Sequence, residues 1–374
     1  MALRMPDLTH RFIRQMLAPL SRLYGAGAEL RAALYKNGWR KARRLSRPVI
    51  SVGNLTVGGT GKTPLVLRLA EILESEEWMP SILTRGYRRR SSEDLLTIEP
   101  GAGRHPNPSE VGDEPALLAR RLPRVPLVIS KNRYAAGRTA EANFKVSVHL
   151  LDDGFQHLGL HRDVNILLFD ASQPTLEDRL LPCGRLRERP QAARRADLAV
   201  VTRTNEAEDA DAVARIRRGF EKLGHPVPLF TAQTRLREVE PLSGENRLPE
   251  PIRRLPAFAF CGLGNPDAFF RDLRRWGFRL AGKVAFGDHH RYNSADARRL
   301  VRQARSAGAQ LLLTTEKDVL NLPDGLSFDL PVFVCRIDLD IEDEDRFRRE
   351  IFRRLRAVPS TREAPSLREE HSQR

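Results

Sequence analysis

Lys62 and Thr63 are the residues of this chain whose chemistry is most readable from spacing. They close the run Gly58-Gly59-Thr60-Gly61-Lys62-Thr63. Glycines let a backbone curl until successive N–H groups converge on an anion. A lysine can then reach a terminal phosphate, and a threonine hydroxyl can meet a magnesium ion. The phosphate-loop pattern asks for one more glycine, five residues before Gly61, where this chain has Thr56. Thr56, Val57, Gly58, Gly59, Thr60, Gly61, Lys62 and Thr63 are the expected nucleotide-binding residues.

Phosphoryl chemistry also needs acids, and several stand where a parallel sheet would present them. Asp152 and Asp153 end the apolar run Val146–Leu151, a position suited to a magnesium-binding carboxylate. They could also serve as turn acids. Asp113 and Glu114 lie between Gly112 and Pro115, where proline disfavours helix for the residue before it. Such a pair could project into a cleft or cap the next helix. Arg187 could stabilise charge on a transferring phosphoryl group, although spacing alone does not assign it. Asp288-His289-His290 sets a carboxylate beside two imidazoles, a candidate acid–base group or a plain surface loop.

The elements that would hold these residues alternate. Val49–Val52 reads as a strand entering the glycine loop, and Leu65, Val66, Leu69, Ala70, Ile72 and Leu73 keep helical spacing after it. Further short apolar runs fall at 80–84, 126–129, 146–151, 164–170, 199–202, 257–261, 310–315 and 331–334, with helical stretches between them. That alternation predicts parallel sheets covered by helices. The pattern weakens at 236–254, which reads as a linker. The expected plan is a basic helical region over 1–47, a phosphate-loop domain over 48–235, a smaller α/β domain over 255–355 and a disordered tail over 356–374.

The chain has 374 residues and a net charge of +15. Residues 1–47 carry eleven lysines and arginines against two acids, Asp7 and Glu29. Helical spacing of Leu8, Phe12, Ile13, Met16, Leu17, Leu20 and Leu23, with a break near Pro19 and Gly25–Gly27, suits a lipid surface or an ordinary packed helix. No nucleic-acid signature accompanies the charge. No apolar run reaches the roughly 18–20 residues that span a bilayer. Three well-separated cysteines suit a reducing compartment.

Three functions use such a loop: a phosphotransferase, a regulatory GTPase, or a nucleotide-dependent carrier at a membrane. A guanine clamp needs Asn-Lys-x-Asp, and the nearest match, Thr202-Arg203-Thr204-Asn205, lacks the aspartate. Positioned candidate bases, Asp113 and His289, argue against a scaffold.

The ordered motifs resemble those of the tetraacyldisaccharide 4′-kinases, the lipid A 4′-kinases of bacteria with an outer membrane. The motifs are Ser51–Pro64, Arg85-Gly86-Tyr87, Val111–Pro115, Asp152–His157, Leu186-Arg187-Glu188, Phe286–His290 and Thr315–Asp318. That family's loop also lacks the first glycine. Arg88 departs from it, since the family usually has glycine there. The resemblance implies a P-loop NTPase-like three-layer α/β/α domain with a second, smaller α/β domain. It implies ATP- and Mg2+-dependent phosphorylation of the 4′-hydroxyl of an acylated glucosamine disaccharide 1-phosphate. It further implies a monomer bound peripherally to the anionic cytoplasmic face of the inner membrane. On this resemblance Lys62 holds phosphate, Arg187 joins the catalytic set, and Thr63 with Glu114 or Asp152 holds Mg2+. Asp113 takes the hydroxyl proton, and His289 pairs with Asp113.

Overall fold

A computed structural model describes residues 7–86, 89–101, 106–173, 176–204, 211–243 and 251–359. Two compact units divide the chain: Met1–Lys62 with Asp153–Thr231 and Asp345–Arg374, and Thr63–Asp152 with Ala232–Glu344.

In the first unit, strand Val164–Asp170 lies parallel between Val49–Asn54 and Leu198–Thr202. Leu229–Thr231 extends the set in parallel beside Leu198–Thr202. Every residue of the first three strands is buried, which is why they read as continuous apolar runs and not as alternation. Phe220 of helix Ala212–Lys222 meets Phe169 edge-on at 5.7 Å, and Phe347 meets Phe230 at 5.2 Å.

The N-terminal helix runs unbroken from Asp7 to Lys36, through Pro19 and the glycines expected to interrupt it. Packing explains the continuity. Ser21, Gly25 and Glu29 recur every four residues and so share one face. Ser21 Oγ donates to Leu180 O at 2.9 Å, and Glu29 pairs with Arg189 at 2.6 Å. A Cβ on Gly25 would stand 2.6 Å from Leu180 Cδ1, so glycine there permits contact and is no helix stop. Tertiary contact overrides weak propensity.

In the second unit, Pro80–Thr84 lies parallel between Val148–Asp152 and Leu127–Ser130. The half-buried strand Leu95–Ile98 adds antiparallel to Leu127–Ser130. A further set centres on Ala257–Cys261, parallel to Leu280–Ala285 and Leu311–Thr315. Val332–Ile341 follows in parallel beside Leu311–Thr315 and pairs antiparallel with residues 232–241. Residues 236–241 of the expected linker are therefore strand, their polar side chains half-exposed while the backbone is paired. Residues 244–250 and 360–374, the latter most of the expected tail, lie outside the described residues, as do Tyr87 and Arg88.

A second difference touches the site. The helix expected from Ala116 begins at Asp113 and includes Glu114, which Pro115 was expected to hold extended. The first turn of a helix requires no intrahelical N–H, so Pro115 is tolerated there.

Candidate active site

Strand Val49–Asn54 delivers the chain into the glycine loop, and a helix starts at Lys62. The loop's entry is strapped by backbone. Val57 N–H donates to Arg185 O at 2.8 Å, and Arg187 N–H donates to Leu55 O at 2.7 Å. Thr56 forms a bridge with Leu186 in this short ladder, so an extended residue suits the place where the common pattern has glycine. Left-handed backbone occurs instead at Gly58 (φ +112°) and Gly61 (φ +84°). A Cβ on Gly58 or Gly59 would meet no heavy atom within 4 Å, so open space faces the curl. Thr202 Oγ1 donates to Thr60 O at 2.9 Å, and Arg203 donates to Gly59 O at 2.9 Å, bracing the far side. Thr60 Oγ1 and Arg187 Nε are buried with no hydrogen-bond partner among the described residues. An anion cradle with open space and unused polar atoms fits a nucleotide phosphate.

Cations converge beside it. Lys62 Nζ donates to Asn54 Oδ1 at 3.3 Å and lies 3.7 Å from Asp153 Oδ1. Arg187 grips both oxygens of Asp153 at 2.9 Å each and also donates to Asn54 O (3.0 Å) and to Asn54 Oδ1. This fork geometry is available to arginine and not to lysine. Gly53 makes the approach possible, because a Cβ there would sit 2.7 Å from Phe155 Cβ, two residues beyond Asp153. Asp153 itself takes a positive φ of +49°. Asn54 was not among the expected site residues. Its clue was position: a buried amide ending the strand that enters the loop.

The oxygens expected to hold magnesium are distributed differently. Thr63 is the second residue of its helix, and Glu114 lies in the first turn of Asp113–Arg121. Asp152 is buried and accepts from Thr84 Oγ1 at 3.1 Å. Among the described residues, no group of three or more His, Cys, Asp or Glu could hold a metal. Magnesium with a nucleotide needs none, since phosphates and water fill most of its sphere and one hydroxyl and one carboxylate suffice. Hydroxyl and carboxylate are the hard-oxygen class it prefers, so the donor set fits.

The second unit builds a different cluster. Asp113 opens its helix and is 9% exposed. His289 Nδ1–H donates to Asp113 Oδ2 at 2.7 Å, across 176 residues of chain. Asn321 Nδ2 donates to the same oxygen at 2.9 Å. Lys317 Nζ lies 3.5 Å from both His289 Nε2 and Asp288 Oδ1. His289 has φ +61°, and its N–H reaches Gly262 O at 3.2 Å. Burial pushes the Asp113 carboxyl up, but the His289 and Asn321 donors and the Lys317 charge outweigh it and hold the group below its ordinary value. An ionised carboxylate backed by an imidazole is the arrangement of a general base. His290 is engaged elsewhere, 3.0 Å from Asp296 Oδ2 and stacked on Phe286 at 4.5 Å. Asn321 and Lys317 were also not among the expected residues. The Thr315–Asp318 motif contains Lys317 without distinguishing it, and Asn321 lies three residues beyond that motif.

The profile of the family described as tetraacyldisaccharide-1-P 4′-kinase matches residues 13–356. The tetraacyldisaccharide 4′-kinase of Geobacter metallireducens is 41% identical over 334 residues, covering 89% of this chain and 96% of that protein. That of Koribacter versatilis is 39% identical, covering 87% and 95%. The crystal structure of LpxK from Aquifex aeolicus, described as an "apo" form in complex with ATP, superposes with a TM-score of 0.72. It is 33% identical and covers 92% of this chain and 99% of its own. With a family profile spanning nearly the whole chain and relatives of matching length, this chain belongs to the tetraacyldisaccharide-1-P 4′-kinase family.

Proposed function

We propose that this protein transfers the γ-phosphoryl group of ATP to the 4′-hydroxyl of tetraacyldisaccharide 1-phosphate. The observation that carries the reading is the Asp113–His289 pair at 2.7 Å in a chain that also holds an open glycine cradle. A non-catalytic carrier has no need of a buried, ionised carboxylate backed by imidazole.

In the reaction the loop backbone and Lys62 bind the β- and γ-phosphates, and Arg187 adds positive charge where it builds up. Asp113 accepts the 4′-hydroxyl proton as the oxygen bonds to the γ-phosphorus. The bond from that phosphorus to the β–γ bridging oxygen breaks, and ADP leaves with the electron pair. His289 keeps the carboxylate oriented and shares the proton load. Magnesium, held by Thr63 with Glu114 or Asp152, would neutralise phosphate charge. Asp153 turns the Lys62 and Arg187 charges toward one point.

The N-terminal helix supports a peripheral place on an anionic membrane surface. Met16, Leu20, Leu23 and Leu30 follow at intervals of four, three and seven residues, a helical spacing, and are 55–70% exposed, and Trp39 beyond them is 82% exposed. Arg22, Arg31, Arg40, Lys41, Arg43 and Arg44 accompany them. Apolar side chains flanked by cations are what a headgroup layer accepts. No described helix is long and apolar enough to cross a membrane. We place the protein as a monomer on the cytoplasmic face of the inner membrane.

The deciding assay supplies ATP, Mg2+ and the acylated disaccharide 1-phosphate, with water as the competing acceptor. Phosphorylated lipid is expected; ADP formed at equal rates with and without lipid would refute the kinase reading. For the membrane, deleting residues 1–30 should reduce cosedimentation with anionic vesicles, and unchanged cosedimentation would remove the helix from that role.

A further inference from the structure

We propose that Asn321 is a positioning residue that presents Asp113 to the acceptor hydroxyl. It occupies Asp113 Oδ2 together with His289 and leaves Oδ1 to receive the proton. The inference rests on the kinase reading above.

The amide has one workable orientation. Its Nδ2 donates to Asp113 Oδ2 at 2.9 Å and to Lys317 O at 3.2 Å. A flipped amide would face its own oxygen toward a carboxylate and a carbonyl, two acceptors that offer no proton. Among the described residues, both side-chain donors recorded on Asp113 meet Oδ2.

The backbone around Asn321 is fixed independently of any ligand. Its N–H donates to Asp318 O at 2.9 Å, and its carbonyl accepts from Tyr292 N–H at 3.1 Å. Asp318 is 2% exposed and accepts from Tyr292 Oη at 2.8 Å, Gly262 N–H at 2.6 Å and Thr315 Oγ1 at 2.6 Å. Gly262 in turn accepts the N–H of His289 through its carbonyl at 3.2 Å. One buried carboxylate therefore anchors the segments that carry both partners of Asp113. His289 and Asn321 are held to a common frame, so the carboxylate they grip is oriented before substrate arrives.

The groups facing Asp113 are His289 from the turn after Leu280–Ala285 and Asn321 from the segment after helix Glu316–Val319. Lys317 of that helix acts through its charge. Asp288 pairs with Lys317 at 3.5 Å and lies 3.6 Å from His289 Nε2. Removing the Asn321 donor leaves Asp113 gripped by His289 alone, so the carboxylate loses one of the two contacts that fix its orientation.

The experiment compares the full chain with its Asn321→Leu variant. Two quantities are read: kcat at saturating ATP and lipid acceptor, and affinity for ATP. We expect kcat to fall about 10- to 100-fold, a fraction of what a general base supplies. ATP affinity should stay within about twofold. In an Asp113→Ala background the same substitution should cost nothing further, because its effect passes through that carboxylate. A folded variant with unchanged kcat overturns the proposal, as does an equal further loss in the Asp113→Ala background. Asn321→Ser, which shortens the side chain with less disturbance, repeats the comparison if the leucine variant does not fold. Unfolding of both variants also overturns the proposal, by assigning Asn321 to the scaffold. If the unaltered protein transfers no phosphate to lipid, the kinase reading itself fails, a result distinct from an unchanged kcat in the variant.

Discussion

The loop cluster of the first unit and the Asp113 cluster of the second are made in opposite ways. The first is contiguous: Asn54 to Lys62 supply the curl, the lysine and the amide in one stretch, with Asp153 and Arg187 added from afar. Its working surface is backbone N–H and cations, suited to an anion. The second is not contained in any one stretch. Asp113, His289 and Asn321 meet across separations of 176 and 208 residues, and the product is a negative charge suited to a proton. Both place a non-glycine residue at positive φ, Asp153 in one and His289 in the other. Such backbone costs of order 1–3 kcal/mol and persists where surroundings enforce it. A phosphate site can be built from whatever lies along one loop, whereas a tuned base has to be gathered by the fold.

If the clusters divide the work this way, their variants should fail differently. Lys62→Ala should have the largest effect, about 10³-fold or more in kcat/KM, because it removes charge both from bound nucleotide and from the transferring group. The melting temperature should hardly change. Full activity would dismantle the loop assignment. Asp113→Ala should come next, with kcat down about 10²–10³-fold and ATP affinity nearly intact. Equal losses in kcat and ATP affinity would erase the distinction and give Asp113 a metal-binding role.

The two kinds of cluster were not equally legible. Glycines, lysine and threonine in register announced a phosphate loop because its physics is local. Thr56 looked anomalous only because the ladder with Leu186 is invisible in one dimension. Asp113 and His289 each looked like a cap or a surface residue, and family resemblance, not spacing, joined them. Asn54 was marked only by its place at the end of the strand entering the loop, and Asn321 carried no signal, since an amide has many ordinary uses. The fold shows the same contrast. Strands buried along their whole length, such as Val164–Asp170, stood out as apolar runs. The more exposed strands Leu95–Ile98 and Leu280–Ala285 did not, and helix Glu344–Arg356 hid Phe347, Ile351, Phe352 and Leu355 among arginines.

A smaller effect tests how the loop is shaped. Gly61→Ala puts a Cβ at φ +84° and 3.3 Å from Thr202 Cγ2. The left-handed conformation costs a non-glycine residue about 1–2 kcal/mol, so nucleotide affinity should weaken by about tenfold. The Asp113 titration should not move. A shift in that titration would mean that the clusters are coupled more closely than their construction suggests.

The smallest effect concerns acid stability and belongs to the Asp113 cluster alone. Asp113 is held below its ordinary value in the folded protein: burial opposes ionisation, but the His289 and Asn321 donors prevail. A carboxyl depressed by folding contributes stability that is fully present above its unfolded value, near pH 3.9. That contribution drains away as pH falls below it toward the folded value. Because burial opposes the donors, the net effect is a small difference, and the contribution should be about 1 kcal/mol or less. Urea unfolding of the unaltered protein and of Asp113→Ala, compared from pH 6 to pH 2.5, isolates it. The gap between the two should be constant above pH 5 and narrow steadily below about pH 4. A gap that stays constant across the whole range would show that folding does not favour the ionised carboxylate. The contrast between an anion cradle and a preformed base would then lose its second half.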